Sequence, residues 1–165
     1  MEKRTITIEY QKYSLEEIPE HLRAVAKAAR EVSLGSYAPY SRFHVGAAIL
    51  LADGDILTGS NQENAAFPSS LCAERTAAYH ASAVKPGIPM KAIAIAAWTR
   101  IGHPSDARPE ECWQKAPISP CGACRQALLE YETLHGDMEV LLLGADTAYL
   151  FPSVKSLLPF SFTEF

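Results

Sequence analysis

Long apolar runs are missing from this chain. No segment approaches the ~20 consecutive apolar residues needed to span a bilayer, so no membrane role is expected. A surplus of positive charge is missing too: Lys and Arg number 15 against 19 Asp and Glu, a formal net charge of −4. That argues against a nucleic-acid partner, whose phosphates normally require a basic surface. The opening residues, Met1-Glu2-Lys3-Arg4, lead into alternating polar positions with no secretory pattern, which points to the cytoplasm. Repeats, low-complexity tracts and interdomain linkers are not seen. The 165 residues suit one domain, 1–165, and at 48% hydrophobic they can bury a core. Cysteine is scarce, with four residues, and without an export signal these read as metal-binding or redox groups rather than disulfides. The five histidines show no paired spacing, and His44 reads as a strand residue, not a ligand.

What is present is an ordered series of elements. Thr5 to Tyr10 alternates and predicts a short strand. Ser14 and Glu17 match a capping box, while Pro19 suits the first turn of a helix, so two starts compete. Leu22, Val25, Ala26, Ala29 and Val32 form one helical face, and Gly35 follows as a stop. Phe43–Ala52 and Asp55–Ser60 flank Asp53-Gly54, a strong hairpin signal. A helix is expected from Leu71 to about Val84, a buried strand from Lys91 to Thr99, and a Pro-broken loop from Arg100 to Ser119. A second helix runs from Cys121 to about His135, then a strand from Glu139 to Gly144 and a short one at Tyr149–Phe151. Strands and helices alternate after the hairpin, which favours an α/β sandwich with parallel strands.

The chemistry concentrates in two segments, Cys72-Ala73-Glu74 and Pro120-Cys121-Gly122-Ala123-Cys124. Thiolates are soft, strong zinc ligands. Cys72, Cys121 and Cys124 would supply three, leaving one tetrahedral position open for water. Glu74, two residues from a ligand, could reach that water without binding the metal. Each segment begins a helix, whose N-terminal partial positive charge and free N–H groups favour thiolates. Three thiolates give the zinc centre a formal charge of −1, which weakens its pull on water. Arg75 directly follows Glu74, and Arg125 directly follows Cys124; either could hydrogen-bond the sulfurs and restore Lewis acidity. A surface ion pair is the plainer role for each arginine.

A closed structural zinc site is the main rival reading, with Cys112 as fourth ligand. It leaves Glu74 without a task. A redox Cys-x-x-Cys leaves both Cys72 and Glu74 unexplained.

Ligand-x-Glu before Pro-Cys-x-x-Cys is the zinc deaminase signature in a three-cysteine version. The chain resembles the tetrameric, Cys₃-type cytidine deaminases through five stretches in order. These are Tyr37-Ala-Pro-Tyr-Ser-Arg-Phe43, Val45-Gly-Ala-Ala48, Asn61-Gln-Glu-Asn-Ala65, Cys72-Ala-Glu-Arg75 and Ser119-Pro-Cys-Gly-Ala-Cys-Arg-Gln126. The ending Leu157-Leu-Pro-Phe-Ser-Phe162 also fits. The resemblance runs from about Leu22 to Phe162. It implies a three-layer αβα sandwich with a mixed central sheet of about five strands, one zinc per chain and a homotetramer. The implied activity is hydrolysis of cytidine and deoxycytidine to uridine and deoxyuridine, with release of ammonia, in pyrimidine salvage.

The resemblance also implies residue roles. Cys72, Cys121 and Cys124 would bind zinc, and Glu74 would shuttle protons. Asn61 and Glu63 would hold the ribose, Phe43 would pack on the nucleoside, and the backbone around Ala73 would hold the pyrimidine carbonyl. Phe162 would reach a neighbouring subunit's base pocket. Plainer roles stand beside these: Phe43 in the core, Asn61 and Glu63 ordering a turn, Phe162 covering its own domain. The chain departs from the family in an N-terminal extension, 1–14, and an inserted loop, 100–118. Phe67 stands where many relatives have tyrosine. The same centre could serve another nucleoside, such as a blasticidin-type antibiotic; a deaminase acting on single-stranded nucleic acid is opposed by the acidic balance.

Overall fold

The computed structural model describes residues 1–99 and 112–163, so the expected loop over 100–111 and Phe165 lie outside the described residues. The first helix, α1 (Glu20–Ser33), starts after Pro19, whose fixed φ and missing N–H suit a helix entry. The Ser14–Glu17 pair is real but caps a separate short 3₁₀ turn, with the Glu17 carboxylate accepting from the Ser14 N–H and Oγ at 3.0 and 2.8 Å. The face predicted from Leu22, Val25, Ala26 and Ala29 is the buried one. The hairpin follows as β2 (Phe43–Leu51) and β3 (Ile56–Ser60), and Gly54 takes the left-handed φ of 91° that its turn requires. Then come α2 (Ala73–Val84), β4 (Met90–Thr99), α3 (Gly122–His135), β5 (Glu139–Leu143) and β6 (Thr147–Phe151).

One further strand, β1 (Gln11–Ser14), brings the sheet to six, in the order β1-β6-β5-β4-β2-β3. The alternating segment Thr5–Tyr10 is not that strand; residues 1–10 carry no regular structure. The ladder pairs Gln11 with Leu150, so Glu9 would face Pro152. Pro152 has no N–H to offer, and the strand ends there. Tyr10 instead lays its ring on Tyr149 and Phe151, with centroids at 5.1 and 5.2 Å.

The sheet is mixed, with β4 and β5 its one parallel pair. The expected parallel run stops at β5 because three residues, Gly144 to Asp146, join β5 to β6. A parallel crossover needs a dozen residues or more, so that short link forces a hairpin.

The two faces of β4 show how the layers form. Ala92, Ala94 and Ala96 pack with the α1 face, while Ile93, Ile95 and Ala97 pack with α2 and α3. Burial on both faces is why β4 reads as an unbroken apolar run. The small residues let α1 lie close: a Cβ on Gly46 would land on the Ala29 carbonyl oxygen, and one on Gly59 would strike the α2 backbone at Ala77. With α2 and α3 on one face of the sheet, their N-termini meet beside β2 and β3. Among the described residues no helix is long and apolar enough to cross a membrane.

Candidate metal centre

Two helix starts build the site. Cys72 is the N-cap of α2 and Cys121 the N-cap of α3, with Cys124 in the first turn of α3. Their Sγ atoms all lie within 4.8 Å of one another, and Cys121 and Cys124 are 3.4 Å apart. Zn–S bonds of ~2.3 Å at tetrahedral angles put sulfurs roughly 3.8 Å apart, so the trio fits a three-thiolate zinc centre with little adjustment. Among the described residues this is the one cluster of ligand type, and Cys112 does not join it. Cys112 is buried beside Trp113, on a segment whose carbonyl accepts from the Thr99 N–H. The three cysteines fit one zinc ion per chain, and the closed four-cysteine reading loses its fourth ligand.

The electrostatics already favour a thiolate. A hydrogen bond from Cys124, with help from Arg75, holds Cys72 well below the usual thiol range against the opposing effect of burial. The same pairing, together with burial, pushes Cys124 up. A divalent cation bound by the three sulfurs would displace their thiol protons.

Arg75 Nη2 lies 3.7 Å from Cys72 Sγ, so this guanidinium meets the ligand sulfur as predicted. Its Nε is buried with no other partner. Arg125 does something else. Its Nε donates to the Pro120 carbonyl at 2.8 Å, its Nη1 to the Leu157 carbonyl at 2.7 Å and its Nη2 to Ser119 Oγ at 2.9 Å. It therefore braces the loop that enters α3 and the C-terminal segment, and leaves the sulfurs to Arg75. The sequence made the two arginines equivalent; their neighbours separate them.

Glu74 sits in the first turn of α2, 5% exposed. Burial raises its pKa, against the opposing hydrogen bond from its own backbone N–H, and the Cys72 charge adds to the rise. A carboxyl group shifted upward beside a water-activating metal can both take and return a proton.

A cavity of about 580 Å³ opens next to Cys72, lined by Tyr40, Asn61, Glu63, Phe67, Cys72 and Arg75 among others. Asn61 and Glu63 are both there, and both hold backbone. Asn61 Nδ2 donates to the Phe43 carbonyl at 2.9 Å while Oδ1 accepts from the Val45 N–H at 2.8 Å. The Glu63 carboxylate accepts from the N–H groups of Tyr40 and Ser41 at 2.8 and 3.2 Å, which keep its pKa low. Arg42, the next residue, takes φ 57°, a left-handed conformation uncommon outside glycine. Phe43 is half-buried against the α2–α3 side of the core and is not part of the cavity wall. Ala73 is fully buried at the start of α2. Tyr40 and Ser41 belong to a motif that was legible, yet only the fold brings Tyr40 edge-on to Phe67, at 5.9 Å, on the cavity rim.

Phe162 lies apart from this cavity, 68% exposed, with Phe160 at 85%. Both rings are largely exposed. The backbone of Phe162 is tied to Gln126, whose role could not be read from the sequence. His44 stacks on Trp98 at 4.0 Å, in β2 as expected.

Three sulfurs at two helix N-termini, a buried carboxylate beside them and an αβα frame define a zinc-dependent hydrolytic deaminase centre. Residues 19–135 match the model of the cytidine and deoxycytidylate deaminase zinc-binding region. The chain is 40% identical to the cytidine deaminase of Sporosarcina psychrophila over 146 residues, 88% of this chain and 91% of that protein. It is 38% identical to the Halalkalibacterium halodurans cytidine deaminase, covering 83% of this chain and 90% of that protein. The crystal structure of cytidine deaminase from Burkholderia pseudomallei superposes with a TM-score of 0.66 at 37% identity, covering 85% of this chain and 98% of that one. The chain belongs to the cytidine deaminase family.

Proposed function

We propose that this protein deaminates cytidine and deoxycytidine by zinc-dependent hydrolysis, as a cytoplasmic enzyme of pyrimidine salvage. The observation that carries the reading is the trio Cys72, Cys121 and Cys124 with buried Glu74 beside it. In the overall reaction water adds at C4 of the pyrimidine and the amino group leaves as ammonia. No electrons are exchanged, so no redox cofactor is needed.

Zinc, which Cys72, Cys121 and Cys124 would hold, would supply Lewis-acid activation of water near neutral pH. Glu74 would take a proton from the attacking water and deliver one to the pyrimidine N3, which makes C4 more electrophilic. Glu74 then carries the remaining hydroxyl proton to the departing amino group. Its burial supports this, because a carboxyl whose pKa is raised returns protons readily. Arg75 offsets the negative charge of three thiolates from its place beside Cys72. The backbone at Ala73 holds the pyrimidine carbonyl, and Phe43 packs on the nucleoside.

Asn61 and Glu63 hold the ribose. Both line the cavity, and each has hydrogen-bonding capacity beyond its backbone contacts: a second Nδ2 proton on Asn61, free lone pairs on Glu63. The whole chain, 1–165, acts as one domain. It assembles as a homotetramer in which Phe162 reaches a neighbour's base pocket. The exposed rings of Phe160 and Phe162 support that assembly, since apolar groups left on a surface mark interfaces. Sedimentation at assay concentration should give a tetramer; a monomer with full activity would refute the shared site.

The test of the activity is direct. Purified, zinc-loaded protein mixed with cytidine should lose cytidine absorbance as uridine and ammonia appear in equal amounts. A protein that binds zinc and leaves cytidine intact overturns the reading.

A further inference from the structure

Helix α3 grips the C-terminal segment at three points. At its far end the buried Glu132 carboxylate accepts from the N–H groups of Val154 and Lys155 at 2.6 and 3.0 Å. Nearer the metal ligands, Arg125 holds the Leu157 carbonyl at 2.7 Å. Next to it, Gln126 Nε2 donates to the Phe162 carbonyl at 2.7 Å and Gln126 Oε1 accepts from the Phe162 N–H at 3.2 Å. The segment thus runs back along α3 toward the helix start that carries Cys121 and Cys124.

The third grip differs from the others. Residues 158–163 belong to no helix or strand, and Pro159 has no N–H. No sheet ladder fixes the backbone of Phe162. The Gln126 carboxamide takes both of its peptide groups, as a facing residue in an antiparallel strand would. Meanwhile the Phe162 ring stays 68% exposed. The backbone is held by Gln126 while most of the ring stays accessible.

We propose that Gln126 is a positioning residue for the reaction: its carboxamide fixes the Phe162 backbone to the zinc-bearing helix, so that the ring is held ready for the neighbouring subunit's nucleoside. This rests on the reading above that Phe162 serves a neighbour's pocket. Gln126 lies two residues after Cys124, so the tail and a metal ligand share one rigid element. Only a group with a donor and an acceptor side by side can hold both peptide groups. Glutamate keeps the acceptor and sets a carboxylate against the Phe162 carbonyl; leucine keeps the bulk and loses both bonds.

The test compares Gln126→Leu, Gln126→Glu, Phe162→Ala and the double variant Gln126→Leu/Phe162→Ala, all as full-length, zinc-loaded proteins. Amide hydrogen exchange reads the backbone, and steady-state kinetics on cytidine read the site. Gln126→Leu should speed exchange at Phe162 and raise KM roughly three- to tenfold with kcat nearly unchanged, the scale of one or two modest hydrogen bonds. Gln126→Glu should fall between it and the wild type. The double variant should be no worse than Phe162→Ala, because the clamp acts through the ring. If Phe162→Ala raises KM and Gln126→Leu leaves both KM and exchange alone, the clamp is overturned and the shared site stands. If Phe162→Ala itself leaves KM unchanged, the shared-site reading fails and the clamp's role in the reaction fails with it. Effects that add fully in the double variant also overturn the proposal, since they would separate Gln126 from the ring.

Discussion

Arg75 reaches back one turn of α2 to its own N-cap, placing Nη2 3.7 Å from Cys72 Sγ. The spacing of three residues puts both on one helical face, and the helix N-terminus adds its partial positive charge at the same sulfur. Charge compensation is therefore built into a single element and does not wait for a neighbouring subunit.

Arg75→Gln removes that positive charge while keeping a donor. Zinc should remain near one ion per chain, and turnover of cytidine should fall about 10- to 100-fold, the usual cost of losing a group that supports a metal ligand. Metal analysis and kinetics on the same preparation decide it. Unchanged turnover would show that the helix N-termini suffice.

Glu74→Gln preserves shape and cannot carry a proton. The fold and the metal should persist, and turnover should drop at least the ~10²–10⁴-fold typical of acid–base groups. Activity close to wild type in a preparation free of host enzyme would assign the proton transfers elsewhere.

Cys112→Ser should leave zinc content and turnover unchanged, because Cys112 stands outside the sulfur cluster. X-ray absorption of the zinc-loaded wild type should give three sulfur neighbours and one lighter atom. Four sulfurs, or metal loss in the serine variant, would restore the closed site.

Asn61→Ala and Glu63→Ala should each do two things. They should reduce turnover of nucleosides far more than turnover of free cytosine, which has no sugar to hold. They should also lower the melting temperature, since Asn61→Ala leaves the Val45 N–H and Phe43 carbonyl without their partner, at about 1–3 kcal/mol for each buried group. Destabilisation with equal loss on base and nucleoside would confine both residues to ordering the loop.

Glu132→Ala should be the most destabilising of these changes, although it lies at the end of α3 away from the metal ligands. Its carboxylate holds three backbone N–H groups, of Met138, Val154 and Lys155. Loss of these charge-assisted bonds should cost at least ~3 kcal/mol in denaturant unfolding. A loss under 1 kcal/mol would mean that water replaces the carboxylate at all three groups.

The sequence by itself determined the elements whose signals are local. Asp53-Gly54 specified the hairpin because a tight turn with positive φ needs glycine. The ligand trio and Glu74 were legible because short fixed spacings place them at two helix starts. The α/β class followed from the alternation of strands and helices, and the three-layer αβα arrangement from the family resemblance. Tertiary structure decided everything that depends on a distant partner. Thr5–Tyr10 has the pattern of a strand, yet Pro152 on the neighbouring chain segment denies it a ladder, and β1 begins at Gln11. Arg75 sits three residues beyond Cys72 and Arg125 one beyond Cys124, but Leu157 and Ser119 claim Arg125 and leave the sulfur to Arg75. Cys112 is one more thiol in the sequence, and only the path of its segment along β4 keeps it out of the cluster. Gln126 closes a legible motif, but its role was not legible, because its partner is a backbone 36 residues away. Periodicity and spacing record what a residue does within its own turn or strand; the group that finally occupies each donor and acceptor is set by the packing of α2 and α3 on one sheet face.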